Sequence, residues 1–277
     1  MPFVFVLLWS TGFIVAKYAA PHAPPLTFLL YRFAGVIAVL LPIIVIWRAP
    51  WPRTVRAWTD IAVVGVLLQA IYLGGVWVAI ALGMPAGVSA LLVGTQPLFT
   101  ALFAFTVGER ATRLQWTGLL LGFAGIALVL SDRLTLAGVG PLALAANLIA
   151  LAGITVGTLY QKKHGGAADL RTGSLIQFAA SFIVVLPVAL ALESTRVDYT
   201  VELWGALAWA VLVLSVGGIS ILLALLRRGA ASKVAPLLYL SPPVAALMAL
   251  ALCGEPLTSL QVVGMALAVA GAFAARR

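Results

Sequence analysis

The 277 residues are 63 % hydrophobic and 9 % charged, with a mean hydropathy of +1.14 and a formal net charge of +9. So little polar surface cannot cover a soluble globule of this size, and the chain reads as an integral membrane protein. Its basic residues lie in loops rather than on a face interleaved with aromatics, which argues against a nucleic-acid partner.

Ten apolar runs of roughly 17 to 24 residues are each long enough to cross a hydrocarbon core as a helix. In chain order the expected spans are 3 to 19, 26 to 46, 60 to 82, 86 to 107, 114 to 131, 138 to 161, 172 to 192, 203 to 226, 231 to 252 and 259 to 275. The first begins at once and lacks a positive leader region, so it is expected to stay as a helix. Pro21, Pro24 and Pro25, the Trp47 to Trp58 segment and the Lys162 to Arg171 segment mark the clearest breaks. The single Cys253 reports nothing about redox compartment. Thirteen of the 17 Lys and Arg residues fall in the loops on the N-terminal side or at the C-terminus. That bias predicts that both termini are cytoplasmic.

A repeat organises the chain. Pro97, Gly108, Glu109, Gln115, Gly118 and Gly125 recur 146 positions later as Pro243, Gly254, Glu255, Gln261, Gly264 and Gly271. Phe33 and Pro42 of span 2 recur as Phe178 and Pro187 of span 7, 145 positions on. The fold expected is therefore all-α, with ten transmembrane helices in two inverted five-helix repeats, 1 to 137 and 138 to 277, around a central cavity. Five is odd, so the second half enters the membrane upside down, the arrangement that alternating access uses.

The ten spans, the Pro-containing fourth and ninth, the Gly-Glu turns, Trp9 to Phe13 and Tyr31-Arg32-Phe33 together resemble the EamA-type drug/metabolite transporters. Within that superfamily the chain is most similar to the bacterial exporters of aromatic and other large neutral amino acids. The resemblance implies a bacterial inner-membrane protein. It also implies a cavity lined by spans 1, 3, 4, 6, 8 and 9, with spans 5 and 10 peripheral or at the contacts of a homodimer.

Uncharged hydrogen-bonding groups mixed with rings suit a zwitterion with a large apolar side chain. The candidates for substrate contact are Ser10, Thr11, Gln69, Tyr72, Trp77, Gln96, Tyr160, Tyr239 and Ser241. Gln69 and Tyr72, three apart, are expected on one helix face. Trp77 suits either a cavity ring or packing. Pro97, Pro242 and Pro243 are expected to kink their helices and act in gating. Arg32, about 9 Å into span 2, is a candidate for a substrate carboxylate, with snorkelling outward as the alternative. No Asp or Glu falls at mid-span and both histidines are expected in loops, which favours a facilitator or exchanger over a proton-coupled pump. The alternatives are proton-coupled export of another amphipathic solute, with Glu109, Glu255 or Lys17 titrating, and a non-transporting scaffold. No convergent nucleophile, base or metal set is present, so neither enzyme activity nor a cofactor or metal is expected.

Overall fold

The computed structural model describes residues 2–108, 112–131, 139–164, 168–194, 196–218 and 257–275, with 221, 244, 247, 248, 250 and 251. The described residues form helices α1 (Pro2–Ala19), α2 (Pro25–Ile46) and α3 (Val55–Gly65). A π-helical stretch, Val66–Leu73, leads from α3 into α4 (Gly74–Ala81). Then come α5 (Ala86–Val93), α6 (Gln96–Leu102), α7 (Arg113–Ser131), α8 (Pro141–His164) and α9 (Leu170–Leu192). Helix α10 (Val201–Ala208) runs into a second π stretch, Trp209–Gly217, and α11 (Ser259–Ala275) follows later in the chain. Among the described residues four spans are long and apolar enough to cross a membrane: Pro25–Ile46, Val55–Ala81, Pro141–His164 and Leu170–Leu192. The expected ninth span lies almost wholly outside the described residues, and with it Tyr239, Ser241, Pro242 and Pro243. Glu109, Gly254 and Glu255 lie outside them too.

Sequence accounts for most helix ends. Thr112 Oγ1 accepts the Gln115 N–H at 3.2 Å while Gln115 Oε1 accepts the Thr112 N–H at 2.8 Å, a capping box. The same pair of bonds recurs at Thr258 and Gln261, at 3.1 and 3.3 Å. The repeated glutamines are thus helix starts. Gly108 has φ +79 and closes the short 3₁₀ turn Ala104–Val107, a left-handed position that glycine adopts without strain. Asp169 caps α9 and also binds the Arg171 guanidinium, which holds its carboxyl below the ordinary 3.8. That contribution to stability is present above pH 3.8 and is lost as pH falls below it.

Span 4 departs from the expected kink. It is broken outright: α5 ends at Val93, a turn passes through Gly94 and Thr95, and Pro97 sits in the first turn of α6. A first-turn residue needs no intrahelical acceptor for its N–H, so proline starts α6 without straining it. Pro42 and Pro187, by contrast, lie inside uninterrupted helices.

Helices α7 and α11 pack antiparallel through glycine. A Cβ on Gly125 would lie 2.5 Å from Gly264 O and 2.5 Å from Ala268 N. One on Gly271 would lie 2.5 Å from Gly118 O and against Gly122 N. Each glycine therefore meets the counterparts of the residues that the other meets, and lipid-facing helices with such small-residue faces approach backbone to backbone. The core sits elsewhere, where α2, α4, α9 and the two π stretches bury Phe28, Phe33, Val36, Tyr72, Trp77 and Phe178. Phe33 and Phe178, the repeat counterparts, meet there at 5.7 Å.

Replacing Gly125 or Gly271 with Ala forces backbone apart and should destabilise the protein by about 1–3 kcal/mol. Gly205→Ala, inside α10 where a Cβ meets nothing within 4 Å, should keep stability or raise it by up to about 1 kcal/mol. Thermal unfolding in detergent, followed by loss of the monodisperse peak, distinguishes the two; equal midpoints would contradict this packing.

Candidate functional site

The expected site residues do not form one cluster. Among the described residues the structure gathers Arg32 with Tyr72, Gln96 with Tyr160, and Thr11 into three groups, and leaves Ser10, Gln69 and Trp77 outside them. Trp77 stacks on Phe28 with ring centroids 4.5 Å apart and both rings buried, so it is a core ring. Ser10 is fully buried. Gln69 and Tyr72 lie in the π stretch, whose wider turn takes the three-residue spacing off a shared face; Tyr72 is buried and Gln69 half-buried.

The first group centres on Arg32. Its guanidinium does not run along the helix to the surface. It turns into the bundle, 7 % exposed, and donates from Nε at 3.3 Å and Nη2 at 3.2 Å to Ser215 Oγ. Ser215 in turn donates to the Ala210 carbonyl at 3.0 Å, which leaves its oxygen lone pairs to the arginine. Tyr72 is buried beside Arg32, close enough for phenol and guanidinium to interact electrostatically.

The second group joins α6 to α8. Gln96 Nε2 donates to Thr100 Oγ1 at 2.9 Å and to Thr158 Oγ1 at 3.4 Å. Below it a cavity of about 580 Å³ runs between the two helices, lined by Phe99, Phe103, Leu148, Leu151, Val156 and Leu159 with Thr106, Thr155, Tyr160, Lys163 and His164. Pockets of roughly 300–1,000 Å³ with mostly apolar walls and few polar groups suit small amphipathic molecules. At its α8 end Tyr160 donates its hydroxyl to Asp60 Oδ1 at 2.8 Å and faces the His164 ring at 4.4 Å. His164 Nδ1 is buried without a hydrogen-bond partner.

The third group lies at the opposite end of the bundle, where α2 begins. Glu193 accepts the Leu26 and Thr27 N–H groups and the Thr27 hydroxyl, each at 2.8 Å, placing a carboxylate on the positive end of α2. Tyr31 and Tyr199 share a hydrogen bond of 3.0 Å between hydroxyls. Trp209 Nε1 donates to Thr11 Oγ1 at 3.0 Å. These bonds tie α1 and α2 to the segment from Glu193 to Trp209.

Sequence reading missed Phe99, Phe103, Lys163, His164, Asp60 and Glu193. The phenylalanines are indistinguishable from other apolar residues of a span. His164 is placed in a loop when the helix is ended at 161, yet α8 continues through Lys162, Lys163 and His164, basic residues that suit a helix C-terminus. That signal was available. Glu193 carried none, because its partners, two backbone N–H groups and the Thr27 hydroxyl, are distant in sequence.

The EamA-like transporter family model matches residues 1–131 and 140–277. The chain belongs to that family. Among its relatives, the inner membrane transporter YedA of Escherichia coli K12 is 28 % identical over 94 % of this chain and 84 % of its own. A Salmonella typhimurium protein named "Probable amino-acid metabolite efflux pump" is 30 % identical over 97 % and 91 %. A crystal structure superposes on this EamA protein with a TM-score of 0.73 at 21 % identity, covering 99 % of this chain and 94 % of the other, a likeness of fold. The protein is a multi-pass membrane transporter.

Ser89 and Asn147 anchor α5 on α8: both are 0 % exposed, and Ser89 Oγ donates to Asn147 Oδ1 at 2.7 Å. Asn147→Ala strands that hydroxyl in the interior and should destabilise by about 1–3 kcal/mol. Transport per folded molecule should stay near normal, since the pair lies outside all three groups. Unfolding midpoint and liposome flux measured on one preparation check this; a stable variant that has lost flux would move Asn147 into the transport machinery.

Proposed function

We propose that this EamA transporter exports amino acids, aromatic and other large neutral ones foremost, by alternating access, as a facilitator or exchanger. The observation that carries the reading is the pairing of an apolar cavity at one end of the bundle with bonds that join the two parts of the chain at the other. An alternating-access carrier has one end open while the other is shut. The cavity's phenylalanine and leucine walls suit a large apolar side chain, and Thr106, Thr155 and Tyr160 suit a zwitterion's polar groups. The name of the Salmonella relative, an amino-acid metabolite efflux pump, supports the substrate class.

In this reading the halves are 1 to 137 and 138 to 277, inverted about an axis in the membrane plane. Four observations support it: the capping boxes 146 residues apart, the reciprocal glycine contacts of α7 and α11, the Phe33–Phe178 pair and a π stretch in corresponding helices. The two matched segments of the family model divide close to the same boundary. With both termini cytoplasmic, as the Lys and Arg distribution argues, the cavity faces the cytoplasm and the Glu193 end faces outward. Because α7 and α11 spend their glycine faces on each other, a homodimer would use other surfaces.

Proton coupling is the second reading, favoured by the Asp60, Tyr160 and His164 array beside the cavity. Counterflow of labelled phenylalanine or tryptophan in liposomes separates the two. Facilitated exchange predicts uptake with no pH gradient; uptake only under an imposed gradient would favour the coupled mechanism, and no flux across a broad panel would return the protein to a scaffold. Pro97→Ala, which permits the α5–α6 break to anneal, should lower flux severalfold with normal folding. Normal flux in that variant would show that the break is static.

A further inference from the structure

Among the described residues Arg32 is a charge without a counter-charge. No carboxylate among them lies within ion-pair distance of it, and both of its hydrogen bonds end on one serine oxygen. A guanidinium has five N–H donors in a planar fork. Two are engaged, and three remain. Burying an unpaired cation is expensive unless something compensates it, and an intramembrane arginine is rarely retained for packing alone.

Its two polar neighbours occupy equivalent places in the repeat. Val66–Leu73 and Trp209–Gly217 are both π-helical, and each leads to a glycine pair, Gly74-Gly75 and Gly217-Gly218. Tyr72 stands two residues before the first pair and Ser215 two before the second. So one π stretch brings the Ser215 hydroxyl onto Arg32, and the matching stretch buries Tyr72 in the same core. Interruptions by π turns are frequent at functional sites, because they shift side chains out of register and weaken the backbone ladder locally. Arg32 itself has Gln177 as its counterpart in the repeat. The cation is therefore a single feature placed where two matching elements meet.

We propose that Arg32, flanked by Ser215 and Tyr72, receives the carboxylate of the transported solute, which supplies the missing negative charge in transit. This rests on the amino-acid transport reading and narrows it: the solute must carry a free carboxylate. The two oxygens of a carboxylate match the unused edge of the guanidinium as a bidentate pair. Ser215 keeps the fork oriented while its own proton stays on Ala210. The cluster is closed in this structure, with Arg32, Tyr72 and Ser215 all under a tenth exposed. Tyr31, the residue before Arg32, and Trp209, the first of the second π stretch, each make one of the closing bonds. Opening that end would uncover the arginine.

The test is a selectivity ratio, which does not depend on how much protein folds. Counterflow of phenylalanine is compared with that of phenylalaninamide, which lacks the carboxylate, in wild type, Arg32→Lys and Arg32→Gln. Wild type should prefer the acid, and Arg32→Gln should lose roughly tenfold in that preference, the scale of one charge-assisted bond. Arg32→Lys should retain part of it, as a point charge without the fork. Should Arg32→Gln not fold, Ser215→Ala and Tyr72→Phe, which keep volume, should each lower the same ratio. An unchanged ratio in the folded variants overturns this inference and leaves amino-acid transport standing. A wild type that carries no amino acid overturns the transport reading and this inference with it.

Discussion

A chain this apolar has no water along most of its length, so every backbone N–H and C=O must find its partner within the protein. That constraint forces the helices and makes each interruption informative, because a break is tolerated only where protein or a wet cavity satisfies the freed groups. The structure spends its interruptions in few places. One is the Gly94-Thr95 turn between α5 and α6. Others among the described residues are the Phe103 turn that follows α6 and the two π stretches, one of which brings the Ser215 hydroxyl to Arg32. The long helices α2, α8 and α9 run without a break and form the frame against which the interrupted ones can shift.

The polar interactions sort by role under the same constraint. Where a hydroxyl or amide serves architecture it is fully enclosed and paired, as Ser89 is with Asn147. Where it joins the two parts of the chain it lies near an end, as with Glu193 on the N–H groups of α2 and Tyr31 on Tyr199. The groups that depart from these patterns are Arg32, with one serine to satisfy a fork, and His164, with a buried nitrogen unpaired beside the cavity. A carrier must leave some polar capacity unsatisfied in each resting state, since the solute and the opposite conformation complete it.

Much of the fold was legible in the sequence. Apolar run length located α1, α2, α7, α9 and α11 to within a residue or two, because lipid thickness and helix rise fix that length. The repeat of Gln115 and Gln261 was visible too, and the structure gives its reason, a capping box at each helix start. What stayed hidden depends on backbone detail or on distant contacts. Nothing in Val66–Leu73 announces a π turn, the local geometry in which Gln69 and Tyr72 stand. The direction of Arg32, left open between snorkelling and function, was decided by Ser215, 183 residues away. Pro97 was correctly read as an interruption, but whether it bends a helix or begins a new one is set by Gly94 and Thr95 ahead of it.

The central claim is that the bonds at the Glu193 end are a closure that must release in each transport cycle. Its most direct measurement uses a Cys253→Ser background carrying Tyr31→Cys and Tyr199→Cys, two exposed positions whose tyrosine hydroxyls meet at 3.0 Å. The pair is joined by a short bifunctional thiol reagent that a reductant can cleave. If the closure cycles, amino-acid flux in liposomes should vanish on linking and return on reduction, while either single cysteine treated alike keeps its flux. Full flux through the linked protein would show that this end never opens, and alternating access about it would be wrong.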